Sequence, residues 1–311
     1  MNKQTNKIAL LLVLYRDIEH LRRLVESLDK QTIDYEIFAV DCDKEQKSIL
    51  YLKAILPNAH YFDYQGNLGY ATGNNFLARK AMELGFEYLM ICNTDVILGN
   101  NSLDNLYDIL EKSDYLLVGP LIYSGTPENT LGIHSYAERM DFRKMAVCVD
   151  YGSDYEVSLL PNLIEVNIVT GCAFMIKSPL VNKYGLFYTE GFMYGEETDL
   201  ACRMQKFGIK AICCKKAIVW HNHSDEKRSI NSLYRSYYYM NRNFILLCKR
   251  YNKVSVSRKY IIKEMLLFPR KFVWCIRKYN VQLLYYYYKG FFDGCRSIKG
   301  KVQFKFDDNE N

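Results

Sequence analysis

Apolar residues fall into short runs, and each run stops at a polar cluster. Ile8–Tyr15 ends at Arg16-Asp17, Glu36–Val40 at Asp41-Cys42-Asp43, and Ala59–Tyr64 just before Gly66-Asn67. Tyr88–Leu98 carries Asn93-Thr94-Asp95 inside it, and Tyr115–Val118 is a fifth run. Short continuous apolar runs predict strands buried on both faces. Between them the period changes to that of a helix. Ile18, Leu21, Leu24, Val25 and Leu28 share one face, Ser48–Leu56 stops at Pro57, and a third helix runs from the Asn67 loop through Leu84 to a Gly85 cap. Ser102 is placed to cap a fourth, with Leu103, Leu106, Ile109 and Leu110 inward. The alternation predicts an α/β fold of right-handed crossover units with a mainly parallel, Rossmann-like sheet flanked by helices. It puts Asp41, the Asn67–Asn75 loop and Asp95 at one edge of the sheet, where open α/β sheets bind ligands. A fully buried strand has no use for a carboxylate at its end unless water, a cation or a ligand meets it. Asp95 is therefore a candidate for handling a metal or phosphate.

From Leu121 to Glu165 the pattern dissolves into short β-like pieces and turns, as in an inserted specificity region. Val166–Lys177 reads as a strand interrupted by Thr170-Gly171-Cys172, and Ser178-Pro179 opens a short helix closed by Gly185. A helix beginning near Glu197 would bury Leu200, Met204 and Phe207 and end at Gly208. Glu196, Glu197 and Asp199 crowd its first turn. The helix dipole accounts for one or two acids there. The aromatic, glycine-flanked approach, Phe192 to Gly195, indicates a loop that delivers a carboxylate into a pocket. Ile209–Cys213 and Ala217–Trp220 read as two more strands, the second leading into His221-Asn222-His223, a candidate metal or phosphate ligand.

The chain has 311 residues, 49% of them apolar, enough for one large domain or a domain with an extension. Its charge of +6 is uneven: residues 1–248 carry 26 Lys/Arg against 30 Asp/Glu, and residues 249–311 carry 15 against 5. The basic part interleaves aromatics with helical spacing, as at Tyr260, Ile261, Met265 and Leu266, which reads as an amphipathic element for an anionic membrane surface. No recognised nucleic-acid motif accompanies the charge. The ten cysteines show no C-x-x-C pair, which favours reduced core thiols over a disulfide framework or zinc site. The first apolar run is too short, and too soon followed by Arg16-Asp17, for a signal peptide. No run reaches the roughly 18–20 apolar residues that span a bilayer.

Seven short motifs stand in a fixed order: Val40-Asp41, Asn67 through Asn75, Asn93-Thr94-Asp95-Val96, Val169 through Ala173, Phe192 through Leu200 with Arg203, Trp220-His221, and Tyr237 through Asn243. Together they resemble a family 2 glycosyltransferase with the GT-A fold, of the bacterial rhamnosyltransferase-like branch. The resemblance divides the chain into a GT-A domain, 1–248, and a basic helical region, 249–311. It implies inverting transfer of a sugar, rhamnose or a hexose, from a UDP- or dTDP-sugar to a glycan or lipid-linked acceptor in bacterial surface polysaccharide synthesis. Asp41 would then bind the donor's base or ribose, and Asn67, Gly69, Gly73 and Asn75 would shape the donor pocket. Asn93 and Asp95 occupy the Asp-x-Asp position. Asp95 would bind Mg²⁺ or Mn²⁺ across the diphosphate, with His221 completing the site. Glu197 falls on the position of the general base, where the family usually has Asp, and Glu196 is the alternative. Gly171, Asp199 and Arg203 would support the site. A lipid-linked acceptor agrees with a cytoplasmic protein peripheral to the inner face of the cell membrane. Two other readings compete. A nucleotidyltransferase would show a glycine-rich basic signature early in the chain, which Leu14-Tyr15-Arg16-Asp17 lacks. A non-catalytic nucleotide-sugar-binding protein would not turn over its donor.

Overall fold

The computed structural model describes residues 8–63, 65–149, 151, 155–222, 229–277 and 280–306. The chain begins β1 (Ile8–Leu14), α1 (Ile18–Leu28), β2 (Tyr35–Asp41), α2 (Lys47–Ile55), β3 (His60–Phe62) and α3 (Gly69–Glu83). It continues β4 (Tyr88–Cys92), β5 (Val96–Leu98), α4 (Ser102–Glu111), β6 (Leu117–Thr126), β7 (Asn129–Ser135), β8 (Glu138–Asp141), β9 (Ala146–Val149) and β10 (Leu163–Val166). Then come β11 (Ala173–Lys177), α5 (Ser178–Tyr184), α6 (Glu196–Lys206), β12 (Ala211–His221), α7 (Ile230–Arg250), α8 (Val254–Arg277) and α9 (Val281–Cys295).

The main sheet runs β10-β12-β6-β11-β4-β1-β2-β3. The expected crossover units supply its parallel half, β4-β1-β2-β3. β11 enters antiparallel between β4 and β6, β6 and β12 resume the common direction, and β10 reverses it again at the edge. Alternate residues of β1 feed different cores. Ala9 and Leu11 pack beneath α3, while Ile8, Leu10, Leu12 and Leu14 pack with Leu21 and Leu24 of α1. Burial on both faces is why the first strand shows no apolar–polar alternation.

Several elements differ from the sequence reading. The Tyr88–Leu98 run is two strands, because the chain turns at Asn93-Thr94-Asp95 and β5 pairs with β12 instead of β1. The two strands expected at 209–213 and 217–220 are one, β12, with a register shift between Cys214 and Ile218. Lys215 and Lys216 at that irregularity gave the false impression of a gap. Ser102 does not cap α4. Asn101, in the left-handed region at φ 54, holds the N-cap position without a side-chain capping bond, and the Ser102 hydroxyl donates to the Ile218 carbonyl at 2.7 Å. Phe207 lies half exposed at the end of α6, while Leu200 and Met204 are buried as expected. The region after Leu121 is ordered as the β6–β7 and β8–β9 hairpins.

The division at 248/249 falls inside α7. α9 lies so close along α7 that a Cβ on Gly290 would stand 2.1 Å from the Tyr238 carbonyl oxygen, and one on Gly294 2.8 Å from that of Arg242. Leu247, Cys248 and Val256 also share a cluster with Met140 and Ala201. The basic region is thus packed onto the α/β body. All ten cysteines are free, and eight are buried. Among the described residues no helix is long and apolar enough to cross a membrane.

Candidate active site

A cleft of about 750 Å³ opens at the carboxyl ends of β1, β2 and β4. The turn after β4 gives it Asn93, Thr94 and Asp95, the N-terminus of α3 gives Asn67, Gly69 and Tyr70, and Arg16 follows β1. The opposite wall comes from Phe192, Met193 and Tyr194, from Arg235 and Tyr239 of α7, and from residues 301–304. Gly69 is required here. Its φ is +69, and a Cβ would come within 2.7 Å of the Phe192 carbonyl oxygen and ring. Asn67 fixes the same turn by accepting the Gly69 N–H at 3.1 Å.

Asp95 meets His221 at the end of β12, with Oδ1 3.3 Å from Nε2. The backbone enforces this meeting: Asn222 N–H donates to the Asp95 carbonyl at 2.8 Å, and His221 pairs with Val96. Asn93 Oδ1 is buried beside this pair without a hydrogen-bond partner among the described residues. Sequence reasoning missed His134 of β7, whose ring lies 5.1 Å from that of His221. Burial and the His221 charge hold its pKa below the usual range, against the pull of Asp95. No periodic signal marks His134, and the pairing of β7 with β6 is what brings it in. His223 lies outside the described residues.

Among the described residues no group of three His, Cys, Asp or Glu side chains is placed to hold a metal ion. An oxygen and a nitrogen ligand side by side, next to a buried amide oxygen without a partner, do fit a hard divalent cation that takes its remaining ligands from phosphate and water.

Glu196 and Glu197 open α6 in a second, more enclosed place that adjoins the cleft through Tyr70. The Glu197 carboxylate lies against Gly171, where a Cβ would be 2.0 Å from Oε1, and the Gly171 N–H helps to hold its charge. Tyr70 donates its hydroxyl to the Gly171 carbonyl. Burial, then the charges of Glu197 and Glu196, keep that phenol protonated. Burial and the charge of Glu197 push Glu196 up to about 8, and burial also raises Glu197. Glu138 of β8 is a third carboxylate here, raised by burial and held by Ser135 and Thr170, and its charge raises Glu197 further.

The remaining expected residues do other work. Asp41 is fully buried, and its carboxylate accepts the N–H groups of Asp43 at 2.9 Å and Ile49 at 3.1 Å. It ties the end of β2 to α2, and Cys42 beside it lines the cleft while Asp41 does not. Gly73 lets α3 settle onto β1, since a Cβ would stand 2.7 Å from Val13. Asn75 exchanges hydrogen bonds with the Phe187 backbone at 2.8 and 2.9 Å. Both therefore shape the pocket from behind instead of lining it. Asp199, fully buried, binds Arg203 at 2.7 Å, Arg250 at 2.9 Å and the Tyr251 hydroxyl at 2.6 Å. Arg203 in turn donates to the carbonyls of Tyr184, Gly185 and Leu186.

The wall loop is held from α7. Phe192 and Tyr194 both have φ 67, a left-handed conformation that costs L residues energy and needs support. Asn243 Nδ2 supplies it, donating to the carbonyls of Gly191, Met193 and Tyr194 at 3.0, 2.6 and 2.8 Å. The fully buried Arg242 donates to Gly191 and Gly300, each at 2.7 Å.

The pattern described as Glycosyl transferase family 2 matches residues 10–181. The chain is 26% identical over 210 residues to the low-salt glycan biosynthesis hexosyltransferase Agl10 of Haloferax volcanii, covering 64% of this chain and 63% of that protein. Among solved structures it is similar to GalNAc-T7 with UDP, GalNAc and Mn²⁺, with a TM-score of 0.61 and 18% identity over 80% of this chain and 48% of the other. The chain thus spans less than two thirds of either relative. The second likeness is one of fold, and it bears out the expected GT-A architecture.

Proposed function

Since the chain belongs to glycosyl transferase family 2, we propose that it transfers a hexosyl or rhamnosyl group, with inversion, from a UDP- or dTDP-sugar to a glycan or lipid-linked acceptor. The observation that carries this reading is the Asp95–His221 pair, 3.3 Å apart, at the floor of a cleft large enough for a nucleotide sugar. The hexosyltransferase relative favours a hexose and a role in glycan assembly. The UDP and Mn²⁺ of the structural relative favour a uridine donor and a divalent metal.

Asp95 and His221, with Asn93 beside them, would hold Mg²⁺ or Mn²⁺. The cation supplies charge neutralisation for the departing diphosphate. Inversion needs a base on the opposite side of the anomeric carbon. Glu197 and Glu196 are the candidates. Burial raises both carboxyls, and the Gly171 amide beside Glu197 favours its charged form. Glu197 then takes the acceptor hydroxyl's proton. Tyr70, held neutral, closes this corner against water.

The acceptor side draws on α8. Ile262, Met265, Leu266, Pro269 and Val273 recur at helical spacing on it, and Ile262 and Leu266 are 60% and 76% exposed. Lys259, Lys263 and Arg270 belong to the same helix. This combination suits the headgroup region of an anionic membrane, where a lipid-linked acceptor would be presented.

The decisive assay incubates the protein with UDP-, dTDP- and GDP-sugars and Mn²⁺ or Mg²⁺, and follows nucleoside diphosphate release with membrane extract as acceptor source. Chelator-sensitive release from one donor is expected. Asp95→Ala should abolish it, and Glu197→Gln should lower it roughly a hundred- to ten-thousand-fold, the range for losing a general base. Full turnover in either folded variant would overturn the assigned role.

A further inference from the structure

After α9 the chain doubles back across α7 and ends its described part at the mouth of the cleft. Residues 299–306 form no regular element but are fastened at many points. Lys299 pairs with Glu190 at 2.6 Å, and Gly300 N–H donates to the Glu190 carbonyl at 2.7 Å. The Gly300 carbonyl accepts from Arg242 at 2.7 Å, and Val302 N–H donates to the Tyr239 hydroxyl at 3.0 Å. Phe304 is buried among Tyr238, Tyr239 and Tyr286, and Phe306 stacks on Phe304.

The segment alternates as an extended chain does. Val302, Phe304 and Phe306 join the aromatic cluster of α7 and α9, while Lys301 and Gln303 are exposed on the cleft lining. Lys301 lines the cleft, its ammonium 5.9 Å from the Phe192 ring centroid. Burial pushes the Cys42 thiol at the end of β2 upward, and the Leu68 and Gly69 amides, with Lys301 as the smallest influence, pull it back. Among the described residues no carboxylate lies within ion-pair distance of Lys301. The other lysines close to acids in this part of the chain are paired, as Lys289 is to Asp293 and Lys299 to Glu190. Among the described residues the cleft lining holds three cationic side chains, Arg16, Arg235 and Lys301, against one acid, Asp95. Arg16 is engaged with Asp43 at 2.8 Å, and Arg235 stacks over Phe306 at 4.9 Å. Lys301, 5.9 Å from the Phe192 ring, is the least engaged of the three.

We propose that residues 299–306 are a strap that completes the cleft, and that Lys301 on it binds the diphosphate of the nucleotide donor and of the nucleoside diphosphate product. This deepens the proposed function and rests on it. A lysine is a compact point charge suited to a phosphate that shifts as its bond to the sugar breaks. The strap puts that charge on the lining of the same cleft as Asp95, so Lys301 would act beside any cation that Asp95 and His221 hold.

The test is equilibrium binding of UDP, dTDP and the parent nucleosides to the full chain at low salt, with Mn²⁺ present. Lys301→Ala should weaken the diphosphate that the wild type binds by about tenfold, the scale of one charged hydrogen bond. Nucleoside binding should stay unchanged, and Lys301→Arg should restore most of the loss. Lys305→Ala removes an exposed charge from the strap outside the cleft lining and should leave both unchanged. Diphosphate binding by Lys301→Ala equal to that of the wild type overturns the strap's role alone. A wild type that binds neither diphosphate overturns the donor reading itself, and the strap's role with it.

Discussion

Glu196 and Glu197 are neighbours in sequence but differ in what surrounds them, and the difference has a pH signature. Glu196 is 5% exposed, with Oε1 lacking a hydrogen-bond partner among the described residues, while Glu197 has the Gly171 amide. Because the folded pKa of Glu196 is raised from 4.5 to about 8, the folded state holds more protons than the unfolded one between those values. The stability contribution is therefore complete at low pH and is lost as pH rises through this window. The difference in melting temperature between wild type and Glu196→Gln should widen from about pH 5 to about pH 8. A constant difference would show that Glu196 titrates normally. At this scale the sequence was informative about which acids cluster and silent about their surroundings. Glu138 comes from a hairpin with no motif, and Asp41 looks the same on paper whether it faces a ligand or two amides.

Elements were legible where a period ran unbroken and obscure where it was interrupted. β1 and β2 follow from their apolar runs, α1 from its spacing, and α3 from the Asn67 loop and the Gly85 cap. β12 was read as two strands because a register shift places lysines in mid-strand, and β5 was hidden because its partner is more than a hundred residues away. α7 shows what a motif can conceal. Arg242 and Asn243 are polar residues on an otherwise core-facing helix, and their use appears only with the Gly191–Gly195 loop in place. Asn243→Ala would strip the Met193 and Tyr194 carbonyls of their donor, Gly191 keeping Arg242, and would release two left-handed residues. A stability loss of about 2–3 kcal/mol is expected in urea unfolding, from unsatisfied buried carbonyls. The activity that remains should show weakened donor binding, since Phe192 and Tyr194 line the cleft. Unchanged donor affinity would mean that the loop keeps its shape without α7.

For the whole molecule, the charge asymmetry suggested an appendage, and the structure shows an integral part. α9 packs on α7 at glycine distance, the strap returns to the cleft, and α8 leaves a broad apolar face uncovered. Composition could not separate these three fates, because basic aromatic sequence serves packing, ligand binding and membrane contact alike. The α8 face makes its own prediction. Leu266→Glu should markedly reduce co-sedimentation with vesicles containing anionic lipid, and binding of nucleoside diphosphate should be unaffected. Equal retention on anionic and neutral vesicles, in wild type and variant, would remove the membrane from this account.

The strap also sets an order of events during synthesis. Chains emerge from the ribosome at about 5–20 residues per second, N-terminal part first. The floor is complete once His221 of β12 has joined Asp95, and Lys301 follows 80 residues later. For on the order of four to sixteen seconds a nascent chain would hold the floor of its site without the far wall. Such an unfinished copy would meet nucleotide sugars in the cell with a weakened grip. Catalysis would then begin only once residues 299–306 have left the ribosome.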